Sequence, residues 1–528
     1  MFVTMIVVIN LVLASRYLID SLVHAPQYTP PGEPRFSGRA LQIATKFMTK
    51  TLITAALLLI PSIRLLAAEP LNFVFILADD LGQRDLGCYG STFYETPHID
   101  ALAESGVRFT SAYAACPVCS PTRASIQSGK YPARLRTTDY FGGPQPEEAA
   151  LMPRFKNRKL LPAAYLEQLP LEETTIAEAL REAGYATFFA GKWHLGPKSH
   201  SPERQGYDVN KGGHGGGSPK SYFSPYGNPR LKDGPPREHL DDRLAQEAVE
   251  FIHANRDGPF LVFFAPYDVH VPLATSPELE KKYARKAKRL SHDGPRFVSD
   301  SGSEVRQVQD HAVYGGMVEA MDAAVGKVLD GLKAAGVADR TTVVFTSDNG
   351  GLSTKEGSPT SNVPLRAGKG WMYEGGLRVP LVIRSPAVAT PGAVCESYIS
   401  SVDHYPTILD MAGLPPRPEQ AVDGVSFAPL LRGEKGFQRG PIYWHYPHYG
   451  NQGGVPARAI RDGDWKFIEF FEDGRLELYN LADDLSEQRD LAQAEPDRAE
   501  RMHKQLEQWS TEIDAQMPTA NPHWPPAP

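Results

Sequence analysis

Asn72 to Ala78 is an unbroken apolar run, rich in Phe, Val and Ile, that stops abruptly at Asp79-Asp80. A run without polar alternation predicts a strand covered on both faces, as strands of parallel sheets are. The pattern recurs. Tyr185 to Ala190 leads to Lys192 and His194, Phe260 to Ala265 leads to Asp268 and His270, and Thr341 to Thr346 leads to Asp348-Asn349. Helical stretches separate these runs. Thr96-Pro97 opens one as cap and first-turn proline, with Ile99, Leu102 and Ala103 as its apolar stripe and Gly106 at its end. Another is capped by Thr174 or Thr175, a third runs from Asp242 to Asn255, and a fourth carries Met317, Met321, Val325, Val328 and Leu332. Alternating strands and helices predict an α/β domain with a mostly parallel sheet. Ligand sites in such sheets lie beyond the carboxyl ends of the strands. Any one polar strand end is ordinary turn chemistry. Four of them supplying carboxylates, imidazoles and an ammonium mark a candidate site.

From about residue 435 the pattern changes. Ala457 to Arg461, Trp465 to Phe470 and Leu476 to Asn480 predict a small antiparallel sheet, with Asp473-Gly474 as a hairpin turn and a helix from Asp497 to Ile513 packed on it. The predicted organisation is an N-terminal extension and signal peptide (1–68), an α/β catalytic domain (69–434) and a C-terminal antiparallel sheet plus helix (435–528). Met48-Thr49-Lys50, the apolar Leu52 to Ile60 and the small residues to Ala68 have the order of a signal peptide. They predict synthesis from Met48, a mature start near Glu69 and export to the periplasm or the medium; a membrane-anchored N-terminus is the competing reading. Phe2 to Ala14 is too short to span a bilayer, so no stable membrane span is expected in the mature chain. The net charge of -7 argues against a nucleic-acid partner or an anionic membrane.

The stretch Cys116 to Tyr131 carries the remaining signal. Cys119-Ser120-Pro121-Thr122-Arg123 puts a thiol four residues before a guanidinium, and Thr122 to Gln127 reads as the first turns of a helix. A cysteine at a helix N-terminus beside an arginine is expected to have a depressed pKa and to sit in an anion-binding pocket. Cys116 and Cys119 also have the spacing of a redox pair.

Cys119-Ser120-Pro121-Thr122-Arg123 with Ser128-Gly129 resembles the signature of type I sulfatases, Cys-x-Pro-x-Arg. Glu374 to Pro380, Asp403 to Leu409 and Leu478 to Leu481 resemble further stretches of that family, so the likeness runs from about residue 71 to 490. It implies an alkaline-phosphatase-like fold with a smaller C-terminal α+β domain. It implies that a maturation enzyme oxidises Cys119 to formylglycine, an aldehyde whose hydrate attacks sulfur. Three cysteines then remain, and no disulfide framework follows. It implies one Ca²⁺, or Mg²⁺, held by Asp79, Asp80, Asp348 and Asn349 together with residue 119; oxygen donors suit such hard cations. By the same resemblance Arg123 holds the diol, Lys192 and Lys369 bind sulfate oxygens, His270 protonates the leaving oxygen, and His194 takes the proton that lets the aldehyde reform.

The expected activity is hydrolysis of a sulfate ester, as in bacterial glycan sulfatases similar to arylsulfatase A. Residues 199–240 are rich in Gly, Pro, Tyr and His, and residues 443–454 are strongly aromatic. Aromatic faces stack on sugars and histidines bond hydroxyls. His214, Tyr222, Tyr226, His239 and His448 are accordingly candidate contacts to a sulfated carbohydrate. The alternatives are a phosphonate monoester or phosphodiester hydrolase of the same superfamily, or a sulfate-binding protein in which Cys119 is never oxidised.

Overall fold

β1 (Asn72–Ala78) is buried from end to end because it lies inside a nine-stranded sheet. The other strands are β2 (Val107–Tyr113), β3 (Ala186–Gly191), β4 (Val209–Lys211), β5 (Phe260–Ala265), β6 (Thr341–Ser347), β7 (Arg378–Arg384), β8 (Ala393–Cys395) and β9 (Ile399–Ser400). Their order across the sheet is β8-β2-β7-β6-β1-β5-β3-β4, with β9 also pairing β2. β1 pairs in parallel with β5 and β6, and β3 with β4 and β5. β7 alone runs against its neighbours, antiparallel to both β2 and β6. This computed structural model describes Gly32, residues 70–417, Gln420 and residues 422–524. The signal-peptide reading and the Phe2 to Ala14 run lie outside the described residues.

The two-residue period of β1 divides its side chains between two cores. Val74, Ile76 and Ala78 face a layer that includes α4 (Leu240–Ala254) and α5 (Ala312–Ala334), through Leu244, Met317, Met321 and Val325. Phe73, Phe75 and Leu77 face the opposite layer, with Ile126 of α2 (Cys119–Ser128), Ile176 and Leu180 of α3 (Ile176–Glu182), and Ile408 of α6 (His404–Met411). α1 (Pro97–Ser105) adds Ile99 and Leu102 to the first layer. Each such side chain contributes about 1.5–3 kcal/mol through burial. The uninterrupted apolar run is therefore explained: both faces of the strand need oily residues. Among the described residues no helix is long and apolar enough to cross a membrane.

The C-terminal sheet has four antiparallel strands in sequence order, β10 (Ile442–Tyr446), β11 (Ala457–Asp462), β12 (Trp465–Phe470) and β13 (Leu476–Asn480). One face packs Ile460, Phe467 and Leu478 on Leu506 and Trp509 of α7 (Pro496–Glu512). The other packs Trp444, Tyr446 and Ile468 on Tyr113, Trp371 and Tyr373 of the α/β core. A fully buried charge network crosses that second contact. Lys466 Nζ donates to Glu374 Oε1 (3.1 Å) and Glu487 Oε1 (2.8 Å), and the Tyr113 hydroxyl donates to Glu374 Oε2 (2.7 Å). Removing one partner of a buried network strands the others. Lys466→Met is therefore expected to lower the stability measured by urea unfolding by about 3–5 kcal/mol; an unchanged midpoint and slope would refute the network's importance.

Candidate active site

Every strand that runs with β1 opens its carboxyl end onto the same edge. β1 delivers Asp79 and Asp80 there. β3 delivers Lys192 and His194, β5 delivers His270, and β6 delivers Asp348 and Asn349. β2 points the same way, and after it the chain enters α2, whose first residue is Cys119. Because β7 is reversed, its amino end lies at this edge, and the segment preceding it brings Lys369. Asp80 and His194 adopt left-handed backbone conformations (φ 59° and 54°), which are uncommon and mildly strained for residues with a Cβ. Gly191 makes the turn out of β3 possible: at φ +105° its missing Cβ would lie 1.9 Å from the Ala265 carbonyl oxygen.

The side chains form one closed ionic network, and all of its charged members are buried. Lys192 Nζ donates to both oxygens of Asp79, each at 2.7 Å. Lys369 Nζ donates to Asp80 Oδ2 (2.6 Å). Arg123 Nε donates to Asp348 Oδ2 (2.7 Å), its Nη1 donates to the Lys192 carbonyl (2.7 Å), and its Nη2 is 3.6 Å from Asp79 Oδ1. Asn349 Nδ2 donates to Asp80 Oδ1 (2.9 Å), while Asn349 Oδ1 is buried with no hydrogen-bond partner. Three carboxylates thus meet three cations. The compensation is uneven. Burial pushes the Asp79 carboxyl up; Lys192 and Arg123 pull it down, Asp348 and Asp80 push it further, and the outcome is about 8. Burial opposes ionisation of Asp80 as well, but Lys369, His270 and Lys192 hold it well below the usual carboxylate range.

This chemistry fits a hard divalent cation. Ligand atoms of Asp79, Asp80, Cys119 and His270 lie within 4.8 Å of one another. Asp348 is one hydrogen bond away, its Oδ1 accepting from the Asp80 backbone N–H (3.2 Å), and the orphaned Asn349 oxygen adds a neutral donor. Oxygen-rich sets of this kind suit Ca²⁺ or Mg²⁺.

Cys119 sits 3.8 Å from Asp80 Oδ1. The expectation of a depressed pKa is corrected: burial, with Asp348 and Asp80 adding to it, pushes the thiol up to about 12 despite Lys192 and Lys369. The helix N-terminus and Arg123 favour a thiolate, but a dry pocket shared with carboxylates outweighs them. As a thiol this residue is a poor nucleophile. Cys116 is also buried and pushed up, and all four cysteines are free.

Burial lowers both site histidines well below the ordinary imidazole value, with Lys192 adding to the effect at His194 and Lys369 at His270. Both rings are therefore neutral, and their tautomers follow from their neighbours. His194 Nε2 lies 3.0 Å from the Phe141 carbonyl, which can only accept, so Nε2 carries the proton and the buried, unpartnered Nδ1 keeps a lone pair. His270 Nδ1 lies 2.6 Å from the Val271 carbonyl and carries the proton there; its Nε2 faces Lys369 Nζ at 3.3 Å. The Cβ that Gly217 lacks would lie 2.5 Å from the His194 ring, so this glycine lets the 212–240 loop close over it. Ser218 of that loop is 3.2 Å from His270 Nδ1.

The expected sugar contacts are placed otherwise. Tyr222 is buried and its hydroxyl lies 2.7 Å from the Tyr267 carbonyl and 2.6 Å from the His270 carbonyl, so it braces the catalytic loop. His239 stacks on Tyr222 and lies 3.6 Å from Asp268 Oδ2. Tyr226 is buried and donates to Glu238 (2.7 Å). His448 is buried against Thr138 Oγ1 (2.8 Å). His214 accepts from the Gly216 N–H at Nδ1 (2.9 Å), and its carbonyl accepts from the His194 N–H (3.1 Å). These aromatic and histidine side chains hold the site's loops. A polar surface chain lies next to the Phe141 segment: Asn451 Nδ2 donates to the Tyr140 hydroxyl (3.1 Å), and Arg154 Nη1 donates to Asn451 Oδ1 (2.9 Å). Asn451 lies in the 443–454 stretch singled out in the sequence, whereas nothing in the spacing of Tyr140 and Arg154 marks them.

The family model described as Sulfatase matches residues 71–414, and the one described as N-sulphoglucosamine sulphohydrolase, C-terminal, matches residues 367–514. A sulfatase of Formosa agariphila is 33% identical over 520 residues, covering 83% of this chain and 88% of its own length. Arylsulfatase A of Homo sapiens is 32% identical over 449 residues, covering 81% and 80%. The crystal structure of Ps i-CgsB matches with a TM-score of 0.68 at 28% identity, covering 86% of this chain and 95% of that one, and the same protein has been solved in complex with k-i-k-neocarrahexaose.

A cation that binds only the folded chain raises stability by about 2.7 kcal/mol at a hundredfold excess over Kd. Adding Ca²⁺ to metal-stripped protein is therefore expected to raise the unfolding midpoint in a concentration-dependent way, and Asp80→Asn is expected to abolish most of the rise. Equal midpoints with Ca²⁺ and with chelator would rule the cation out.

Proposed function

This chain belongs to the sulfatase family, enzymes of sulfate ester hydrolysis, and on that premise we propose that it desulfates a carbohydrate using formylglycine at position 119 and one Ca²⁺. The fold is alkaline-phosphatase-like. The observation that carries the reading is the meeting, at one sheet edge, of Cys119 with three carboxylates, three cations and two neutral histidines.

Formylglycine, once formed, would supply a hydroxyl far more nucleophilic toward sulfur than a thiol held protonated by burial. A cation on Asp79, Asp80, Asp348 and Asn349 would supply charge neutralisation at the sulfate. The remaining work falls to the chain itself. Lys192 and Lys369 donate to sulfate oxygens as charge builds on them. Arg123, fixed by Asp348 and the Lys192 carbonyl, orients residue 119 four positions before it. His270 Nε2 and Lys369 Nζ, 3.3 Å apart, share one proton that the leaving oxygen can take from either. His194 Nδ1, with its proton held on the other ring nitrogen by Phe141, accepts a proton from residue 119. The histidines thus divide into a donor side and an acceptor side of the same pocket.

The carbohydrate reading is supported by the groups next to Phe141. Tyr140, Arg154 and Asn451 offer an aromatic face, a guanidinium and an amide beside the Phe141 segment that holds His194. The k-i-k-neocarrahexaose seen in complex with the related Ps i-CgsB is in keeping with it. Export through residues 48–68, and maturation by a formylglycine-generating or equivalent enzyme, complete the proposal.

The test is the mass of the tryptic peptide containing Cys119 from protein made in a maturation-competent host, alongside sulfate release from 4-nitrophenyl sulfate and position-defined sulfated saccharides. A loss of about 18 Da, the change for thiol-to-aldehyde conversion, is expected, with activity on at least one sulfated sugar. An intact thiol in protein that still releases sulfate would overturn the reading, and activity on aryl sulfates alone would overturn the carbohydrate part. His194→Ala is expected to lower kcat by about 10²–10⁴-fold, the range for a lost general base, with KM falling in step, since the loss bears on the release of sulfate and not on its capture.

A further inference from the structure

Beyond the sulfate ester at the catalytic edge, we infer that this chain holds a second anion in the pocket walled by Lys198, Arg204 and Arg230. The ligand chemistry is an oxyanion, sulfate or carboxylate, carried by a sugar neighbouring the one that reacts. The inference rests on the carbohydrate reading above.

The pocket has a volume of about 430 Å³, and Ser199, Ser201 and Glu203 complete its wall. Glu203 does not neutralise it. It is ion-paired with Arg230 and its Oε2 also accepts from Asn210 Nδ2 (3.0 Å). Among the described residues neither Lys198 nor Arg204 has a carboxylate partner. A solvated surface cation needs no explanation when it stands alone. Here two uncompensated cations and a third, paired one face a common concavity, with two hydroxyls as further donors. Guanidinium forks and hydroxyls are the groups that recognise flat or tetrahedral oxyanions. The surrounding charge points the same way: residues 198–238 carry seven Lys and Arg against four Asp and Glu, in a chain whose net charge is -7. A polyanion repelled by the chain as a whole is attracted here.

Position ties the pocket to catalysis. Lys198 follows His194 by four residues, so their Cα atoms are at most about 14 Å apart. Arg230 belongs to the loop whose Gly217 packs on the His194 ring and whose Ser218 touches His270. One of the two segments that build the pocket thus begins four residues after His194, and the other is the loop that packs on His194 and His270. A sulfate bound there would lie within a few sugar units of the sulfur under attack. The pocket then selects for chains bearing repeated charges over isolated sulfate esters.

The test compares wild type with the double variant Lys198→Ala/Arg204→Ala, both as full chains, and uses Lys198→Arg/Arg204→Lys as the charge-preserving control. Binding is measured by calorimetry with dextran sulfate oligosaccharides, hyaluronan oligosaccharides and neutral dextran. Turnover of 4-nitrophenyl sulfate is measured in parallel. The double alanine variant is expected to bind dextran sulfate at least about tenfold more weakly, the loss of one or more charge-assisted contacts, with kcat/KM on 4-nitrophenyl sulfate unchanged and the control variant close to wild type. A matching loss on hyaluronan assigns carboxylates to the pocket too; a loss confined to dextran sulfate assigns sulfate alone. Unchanged affinity for both polyanions overturns the inference. A wild type that releases sulfate from neither 4-nitrophenyl sulfate nor any sulfated saccharide, while the polyanion effect persists, overturns the catalytic reading and leaves the pocket standing.

Discussion

The compensation of three buried carboxylates by three buried cations governs this structure. Asp79, Asp80 and Asp348 are fully or almost fully removed from water, as are Lys192, Lys369 and Arg123. Burying that many charges is costly unless each is paired and hydrogen-bonded. The pairs here have short contacts, yet Asp79 is still driven up toward protonation and the Asn349 oxygen still lacks a partner. The constellation is therefore only partly settled by its own cations. An additional positive charge near the carboxylates and an additional negative group near the lysines would complete it, and the divalent cation and sulfate ester proposed above would supply both.

Topology explains how such a cluster can be assembled. Its charged members come from positions as distant in sequence as Asp79 and Lys369, and a mostly parallel sheet brings strand ends together by construction. The exception does equal service. Reversing β7 turns its amino end to the catalytic edge, so that Lys369 approaches Asp80 and His270. The C-terminal sheet then holds that segment from behind. Glu374, five residues after Lys369, is locked by Lys466 of β12, and the Trp371 indole donates to the Gln452 carbonyl (3.0 Å). The smaller sheet thus helps fix the segment that carries Lys369 to Asp80.

Much of this was legible in the sequence because burial on both faces leaves a plain signature. β1 and β5 coincide with their apolar runs, and α1 with its apolar stripe, but the Thr96 side chain makes no cap hydrogen bond and the His98 and Ile99 N–H groups donate to Asp322 instead. β2 and β7 were not read as strands. β2 breaks the apolar/polar alternation with the adjacent polar pair Thr110-Ser111, and β7 contains Pro380, where its pairing with β2 shifts register. The acidic, basic and histidine residues expected at the site converge in it. The thiol's pKa was misjudged because the sequence displays the local helix end and Arg123, whereas the carboxylates that oppose ionisation arrive from β1 and β6. The aromatic stretch at 443–454 was misread for a related reason. Its first half is β10, whose Trp444 and Tyr446 are buried against the α/β core. Its later part includes Asn451, whose amide donates to the Tyr140 hydroxyl at the surface.

The most direct measurement is a crystal structure of the matured chain grown with millimolar Ca²⁺. The account predicts one ion bonded by oxygens of Asp79, Asp80, Asp348 and Asn349 at about 2.3–2.6 Å, with Lys192 and Lys369 released from full engagement with the carboxylates. Asp79 and Asp80 still bonded to those two lysines, with no ion among the four residues, would contradict it.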